Sequence, residues 1–523
     1  MPVPDVKQMQ RAEETAGALP AAFALDPALK LAQEGIAAML GFGGAAEGSD
    51  IRLHFAKDDS LGEQAYRIRA ETDKISVEAG GEAAAVHAAA ALKQLSLEHG
   101  GAVPVCEIAD EPRFGWRGVS MDVCRHFFPL EALKKLADLM AFYRMNRLHL
   151  HLSDDQGFRF ESERFPKLNE VGSFRDSTLV KKDGVKRQDG VPHGGYYTKA
   201  ELRELVCFCK ARGIDIVPEL DMPGHALAMI ASYPELACFP NENGEVGVAT
   251  SFGVSEFSKI LLCAGKGETF AFLFALLDEL MDVFPFEFIH LGGDEAVKEN
   301  WKRCPACQAI LREQGLGSER DLQGWFLNRV KGYLKEKGRK AIVWNDGLCR
   351  TLENDAACQY WVPFSNGGAR KTAAWVNGGG SMIASDFLHL YFDYPYSAIP
   401  LEKTFRYEPV LHGIKKERQS AVLGAECAVW TEWIDSEGKL FFNVLPRLAA
   451  AAEAMWREKP RGYKAFLADL QPHYALYERL GLNYAKDAER KEPFCRRVRK
   501  AAQYLLRDTH AELTEKGCGD TGG

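Results

Sequence analysis

The stretch Gly118–Asp154, GVSMDVCRHFFPLEALKKLADLMAFYRMNRLHLHLSD, decides the fold. It opens on a short apolar run, GVSMDV, crosses a segment with apolar residues at helical spacing, LEALKKLADLMAFYRM, and closes on a second apolar run, RLHLHLSD. With the helical TKAELRELVCFCKARG that follows, this is a βαβα rhythm. The rhythm continues through the strand candidates IDIVPELD, FEFIHLGG, KAIVWND, AACQYWV, SMIASDF and AVLGAECAVW, interleaved with helices such as ETFAFLFALLDELMDVF and DLQGWFLNRVKGYLKEKG. Eight strands over about residues 117–430 predict an α/β chain built on a (β/α)8 TIM barrel, with its chemistry at the strand C-termini and the loops after them.

Upstream, Tyr66 and Ile68 alternate with Arg67 and Arg69, and Ile75 and Val77 with Ser76 and Glu78, across a short Thr72-Asp73 turn. That period of two predicts a half-buried hairpin, covered by an Ala-rich helix over about 82–97. The expected organisation is therefore a small N-terminal α/β domain over 1–112, a catalytic barrel over 113–460, and a helical extension with a flexible tail over 461–523. The stretches Gly172–Tyr197 and Pro240–Ser258 read as long functional loops, and the end beyond Glu515 as disordered.

The 523 residues carry 65 Lys and Arg against 73 Asp and Glu, a net charge of −8 that argues against general nucleic-acid binding. At 46% apolar and 26% charged the balance is that of a globular protein. No apolar run approaches the roughly 18 residues of a membrane span. Asp5, Glu13 and Glu14 stand where a secretory signal needs a basic start and an apolar run, and thirteen scattered cysteines suit reduced thiols, so the expected location is cytoplasmic. Cys304-Pro305-Ala306-Cys307 is a lone C-x-x-C that Cys207 and Cys209 do not complete, and it reads as structural.

The strand ends are unusually polar. The fourth closes on His290-Leu291-Gly292-Gly293-Asp294-Glu295, where glycines permit close backbone approach and paired carboxylates can be driven to different proton affinities. Adjacent acids diverge, so this pair suits a scheme in which one protonates the leaving oxygen and the other orients a nucleophile supplied by the substrate. Arg125, after the first strand, offers a donor fork to sugar hydroxyls or an ion pair to a neighbouring acid. His149 and His151 on the second strand form an H-x-H that suggests a divalent metal, but such a site calls for that pair on the first strand and an Asp on the last, which here ends in Trp430-Thr431-Glu432. His225 follows a Pro-Gly turn from which it could tune a carboxylate. Trp344, Trp361, Tyr391 with Asp393, and Trp430 with Glu432 mark the later strand ends, where flat rings pack on a pyranose and acids accept its hydroxyl hydrogens.

GWRGVSMDVCRHFFP, HLHLSDDQGFR, PELDMPGH, HLGGDE, Tyr391-x-Asp393 and Trp430-Thr431-Glu432 together resemble the β-N-acetylhexosaminidases of glycoside hydrolase family 20, in order from about Ala65 to Trp456. The resemblance implies Glu295 as general acid and base, and Asp294 as the group that orients the substrate's 2-acetamido function, whose oxygen attacks C1 to form an oxazolinium intermediate. It implies that Arg125 and Glu432 hold the terminal sugar's hydroxyls, that Asp393 adds a polar contact and that Tyr391 binds the acetamide oxygen. Trp344, Trp361 and Trp430 would wall the pocket, Asp154 and His225 would form a relay behind Glu295, and Asp221 would support Asp294. No metal or organic cofactor is implied, the partner is a sugar or glycoconjugate substrate, and a homodimer is one option. Leu150 stands where the family commonly has an aromatic residue and Phe158 where it often has Trp. A metal-dependent sugar deacetylase on His149 and His151, and a catalytically silent sugar-binding barrel, are the rival readings.

Overall fold

The computed structural model describes residues 1–20, 22–44, 51–182, 185–240, 247–252, 259–364, 368–458 and 461–487. The expected tail beyond Glu515 and most of the expected Pro240–Ser258 loop lie outside the described residues.

Six strands form the N-terminal sheet: β1 (Gln8–Ala18), β2 (Ala24–Leu25), β3 (Arg52–Lys57), β4 (Tyr66–Ala70), β5 (Lys74–Ala79) and β6 (Ala102–Asp110), in the order β1-β6-β4-β5-β3-β2. β4 and β5 are the hairpin read from the sequence, paired antiparallel with Ile68 opposite Val77. The Ala-rich helix is Glu82–Glu98, buried continuously from Ala84 to Ser96 because it lies between this sheet and the barrel helix Leu130–Phe142. Alanine side chains let both neighbours approach closely. A buried knot fastens the two units: Arg144 Nη1 donates to Asp110 Oδ2 and to the Tyr66 hydroxyl, both at 2.8 Å, and the Trp456 indole N–H donates to Asp110 Oδ1 at 3.0 Å. Burial raises the Asp110 carboxyl's proton affinity, an effect that Arg144 opposes.

The eight barrel strands are those expected: β7 (Trp116–Asp122), β8 (Arg147–His151), β9 (Asp215–Glu219), β10 (Phe288–His290), β11 (Lys340–Trp344), β12 (Ala357–Tyr360), β13 (Ser381–Ala384) and β14 (Val422–Val429). They are parallel and closed, with β14 returning to β7. The helix after β8, Lys199–Ala211, opens on a Thr198–Glu201 capping box that satisfies two otherwise orphaned backbone groups. The stretch expected as one long loop at Gly172–Tyr197 holds two short antiparallel pairings, Leu179–Lys182 with Val185–Gln188 and Phe174–Arg175 with His193–Gly194. The Leu179 N–H donates to the Thr250 carbonyl at 2.7 Å, which anchors the first of them.

Inward side chains fill the barrel in layers. The lowest is apolar: Trp116, Val217, Ile342, Ala357 and Ile383. Above it lies a charged layer. His149 Nδ1 meets Glu426 Oε2 at 3.1 Å and its Nε2 meets Glu219 Oε2 at 3.2 Å, while His151 Nδ1 pairs closely with Glu219. Burial alone would strip the protons from His149 and His151, but the carboxylates outweigh it and hold them at about 9 and about 10 respectively. The third imidazole, His290, is lowered by burial, and its Nδ1 accepts the Gly292 N–H at 2.9 Å. The imidazole nitrogens of the H-x-H pair are thus engaged by carboxylates: Glu219 and Glu426 for His149, and Glu219 and Asp154 for His151.

Because both histidines are raised above their ordinary value near 6.5, their stabilisation is complete below about pH 6.5 and fades as pH climbs through about 9 to 10. Removing the shared carboxylate in Glu219→Gln is expected to cost about 3–5 kcal/mol at neutral pH by stranding buried charge. Calorimetry of both proteins across pH checks this: the gap in melting temperature should narrow as pH rises toward about 10, and a constant gap contradicts the assignment.

Candidate active site

Above the charged layer, the chain leaves β10 through a turn that only glycine permits. Gly292 (φ +63°) and Gly293 (φ +96°) are left-handed, and a Cβ on Gly292 would lie 1.7 Å from Asp221 Oδ1. That absence of side chain lets the Gly293 N–H donate to Asp221 Oδ1 at 3.1 Å. Glu295 is itself left-handed, at φ +46°, a conformation non-glycine residues rarely adopt, and its N–H is held by Asp346 Oδ2 at 2.9 Å. The result turns both acids outward, with side chains 13% (Asp294) and 23% (Glu295) exposed at the barrel mouth.

His225, also left-handed at φ +47°, stands behind them. Its Nε2 lies 3.5 Å from Glu295 Oε2 and 3.6 Å from Asp294 Oδ2, and its Nδ1 lies 3.2 Å from Asp154 Oδ1. Asp154 Oδ2 in turn receives Arg125 Nη2 at 2.8 Å and His151 Nε2 at 2.7 Å. Burial disfavours the charged forms of His225 and Asp154, but each charge supports the other. His225 is held well above its usual range by Asp154, Asp294 and Glu295, and Asp154 well below its own by Arg125 and His225. Asp221 and Asp294 go the other way. Burial drives both up; the neighbouring Asp221 carboxyl raises Asp294 further, and Glu219 and Asp154 add to the rise of Asp221, while His225 opposes both.

The aromatic residues at the later strand ends form one array. Trp344 and Trp430 have ring centroids 6.0 Å apart, Trp430 and Tyr391 6.1 Å, and Tyr391 stacks on Trp361 with 13° between planes. The Trp344 indole N–H donates to Glu219 Oε1 at 2.9 Å, fixing the ring over the charged layer. Arg125 joins both halves of the site, because its guanidinium also lies 5.1 Å from the Trp430 ring and feels the Glu432 carboxylate. Its ion-pair and substrate readings are therefore compatible: Nη2 is committed to Asp154, whereas Nε is buried without a hydrogen-bond partner among the described residues. Asp393 is close enough to Tyr391 to raise the phenol's proton affinity further, beyond the larger effect of burial.

Three neighbours of this site escaped the sequence reading. Asp346 accepts from the Glu295 backbone and, through Oδ1, from the Trp361 indole at 3.0 Å. Asp155 accepts the Leu227 N–H at 2.9 Å and faces His225. Glu219 anchors the layer beneath. Asp346 ends the strand candidate KAIVWND, so the strand-end rule applied to that segment would have found it. The C-x-x-C, alone in the sequence, is not alone in space. The fold brings Cys238 and Cys263 against Cys304 and Cys307, partners too distant in sequence for spacing to reveal.

The family model for the catalytic domain of glycosyl hydrolase family 20 matches residues 114–459, and that for the family's domain 2 matches residues 10–111. A β-hexosaminidase of Akkermansia muciniphila is 34% identical over 421 residues, 78% of this chain and 82% of its own. A β-hexosaminidase of Porphyromonas gingivalis is also 34% identical, and there the match spans 73% of this chain but only about half, 48%, of the relative. Among solved structures, an exo β-N-acetylglucosaminidase of Vibrio harveyi in complex with N-acetylglucosamine superposes with a TM-score of 0.80 at 26% identity, covering 92% of this chain and 78% of that one. A barrel with acids, imidazole and indoles converging at its mouth, matched by these proteins, is a glycoside hydrolase. The chain belongs to glycosyl hydrolase family 20.

Gly292→Ala tests the turn. The added methyl must displace Asp221 and occupy a left-handed position, so the variant should lose at least about 1 kcal/mol of stability, with loss of the acids' placement. Thermal melts together with turnover of an aryl glycoside check it; unchanged turnover contradicts the geometry.

Proposed function

We propose that this protein is an exo-acting, retaining β-N-acetylhexosaminidase that removes terminal β-linked N-acetylglucosamine or N-acetylgalactosamine by substrate-assisted catalysis. The observation that carries this reading is the placement of Asp294 and Glu295 side by side on one turn, both within reach of the same His225 nitrogen. Two carboxylates arranged so are poorly placed to act from opposite faces of a sugar as acid and nucleophile. In the proposed reaction Glu295 protonates the glycosidic oxygen while Asp294 orients the 2-acetamido group, whose carbonyl oxygen attacks C1. The leaving alcohol departs, and Glu295, now a base, takes a proton from the water that opens the oxazolinium with net retention.

Each neighbour has a task in this scheme. The His225 imidazolium, stabilised by Asp154, lends positive charge behind Glu295. Asp221, by accepting the Gly293 N–H, steadies the turn that carries Asp294. Tyr391 binds the acetamide oxygen, Arg125 and Glu432 hold hydroxyls, Asp393 adds a polar contact, and Trp344, Trp361 and Trp430 enclose the ring. N-acetylglucosamine bound by the Vibrio harveyi relative supports a sugar of this class. Among the described residues no helix is long and apolar enough to cross a membrane. Eleven free thiols there suit the reducing cytoplasm we assign to the enzyme.

Initial rates on an aryl β-N-acetylglucosaminide, the matching N-acetylgalactosaminide and the plain β-glucoside test the proposal. The first two should be cleaved and the glucoside left intact; cleavage of all three would reveal an enzyme nucleophile instead. Glu295→Gln should lose about 10²–10⁴-fold on poor leaving groups and much less on activated aryl glycosides. Asp294→Asn should cut turnover heavily while binding is partly kept, and near-normal turnover would overturn substrate assistance.

A further inference from the structure

Away from the pocket floor, four cysteines converge that the proposed reaction does not use. Cys238, Cys263, Cys304 and Cys307 place their sulfurs all within 4.8 Å of one another, and all but Cys238 are buried. Cys238 Sγ lies 3.7 Å from Cys307 Sγ, and Cys263 Sγ lies 3.8 Å from Cys304 Sγ and 3.6 Å from Cys307 Sγ. These separations are far beyond the roughly 2.05 Å of a disulfide. They match the edge of a tetrahedron about 3.8 Å long that four thiolates form when each stands about 2.3 Å from a central zinc ion.

The backbone is shaped to hold them there. Cys238 and Cys263 come from two segments tied by an antiparallel bridge between Ala237 and Leu262, and the Cys263 N–H donates to the Leu236 carbonyl at 2.8 Å. Lys266 Nζ clamps the same junction by donating to the carbonyls of Glu235 at 2.7 Å and Ala237 at 2.6 Å. Cys304 and Cys307 sit at the N-terminal end of the helix Pro305–Glu313, which fixes the spacing of their sulfurs. Gly265 presses its backbone against the C-x-x-C turn so tightly that a Cβ would lie 2.2 Å from the Ala306 carbonyl carbon and 2.4 Å from the Cys307 nitrogen.

We propose that Cys238, Cys263, Cys304 and Cys307 bind a structural zinc ion in a closed four-thiolate site. With all four positions filled by protein there is no open position for water, so the ion fastens chain segments and takes no part in glycoside cleavage. The segments it joins matter. The Leu262 N–H donates to the Pro223 carbonyl at 3.0 Å, just ahead of His225, and the Trp301 indole N–H donates to the Leu262 carbonyl at 3.1 Å, just downstream of Glu295. The ion thus crosslinks the loop after β9, which carries His225, to the loop after β10, which carries both acids.

The test is elemental analysis of the full chain, purified without metal-affinity steps, by plasma mass spectrometry. Wild type and the control Cys207→Ser, whose thiol is exposed on an outer helix, should each carry about one zinc, and Cys304→Ser combined with Cys307→Ser about none. Titration of native wild type with a mercurial should release that zinc in step with four thiols, a reading that holds even where the double variant fails to fold. Wild type containing under about a tenth of an equivalent of metal, or disulfides among these four cysteines in a peptide map, would overturn the proposal, as would iron in zinc's place.

Discussion

Glu219 is the group on which the active site rests. Its carboxylate lies at the centre of the barrel against His149 and His151, and accepts the indole N–H of Trp344. A buried anion is tolerable only when surrounded by cations and donors, and satisfying it dictates what stands nearby. From Glu219 the alternation of charge runs upward through His151, Asp154 and His225 to Asp294 and Glu295, with Arg125 branching from Asp154. Each group holds the next in place, so the acids at the mouth are organised from a floor they never touch.

This chain of charges explains why the strand-end turns are strained. His225 and Glu295 both adopt left-handed backbone, an arrangement that costs of order 1 kcal/mol or more for each and persists where surroundings over-determine it. The surroundings here are specific: Asp346 grips the Glu295 N–H, and Asp221 fits against the bare Cα of Gly292. Packing on the other side is aromatic, and the Trp361 indole is held by the same Asp346 carboxylate that holds Glu295. The placement of Glu295 and of the Trp361 ring are therefore linked through one side chain.

Much of this was legible in the sequence because barrel strands are short apolar runs and their polar endings stand out against them. All eight strands, the hairpin over Tyr66–Ala79 and the covering Ala-rich helix follow from periodicity, and HLGGDE announces the acids by the glycines that precede them. What stayed hidden depends on contacts between distant segments. Asp346 is marked by its place at the end of KAIVWND, but that it grips the Glu295 N–H shows only in the fold. Cys238 and Cys263 lie on loops whose spacing from Cys304 carries no regular pattern. The carboxylate partners of His149 and His151, Glu219 and Glu426, come from other strands, so no spacing within RLHLHLSD points to them.

Among the described residues the N-terminal sheet, unlike the barrel, ends in two edge strands. One is β1, whose Arg11, Glu13 and Glu14 are exposed along an eleven-residue strand; the other is β2, only two residues long. An unpaired strand margin recruits other chains through its free backbone groups, and charge or brevity deters such recruitment. Charge along β1 and the brevity of β2 are the features that discourage a second chain from adding to this sheet, a colloidal safeguard in a part of the fold separate from the barrel mouth.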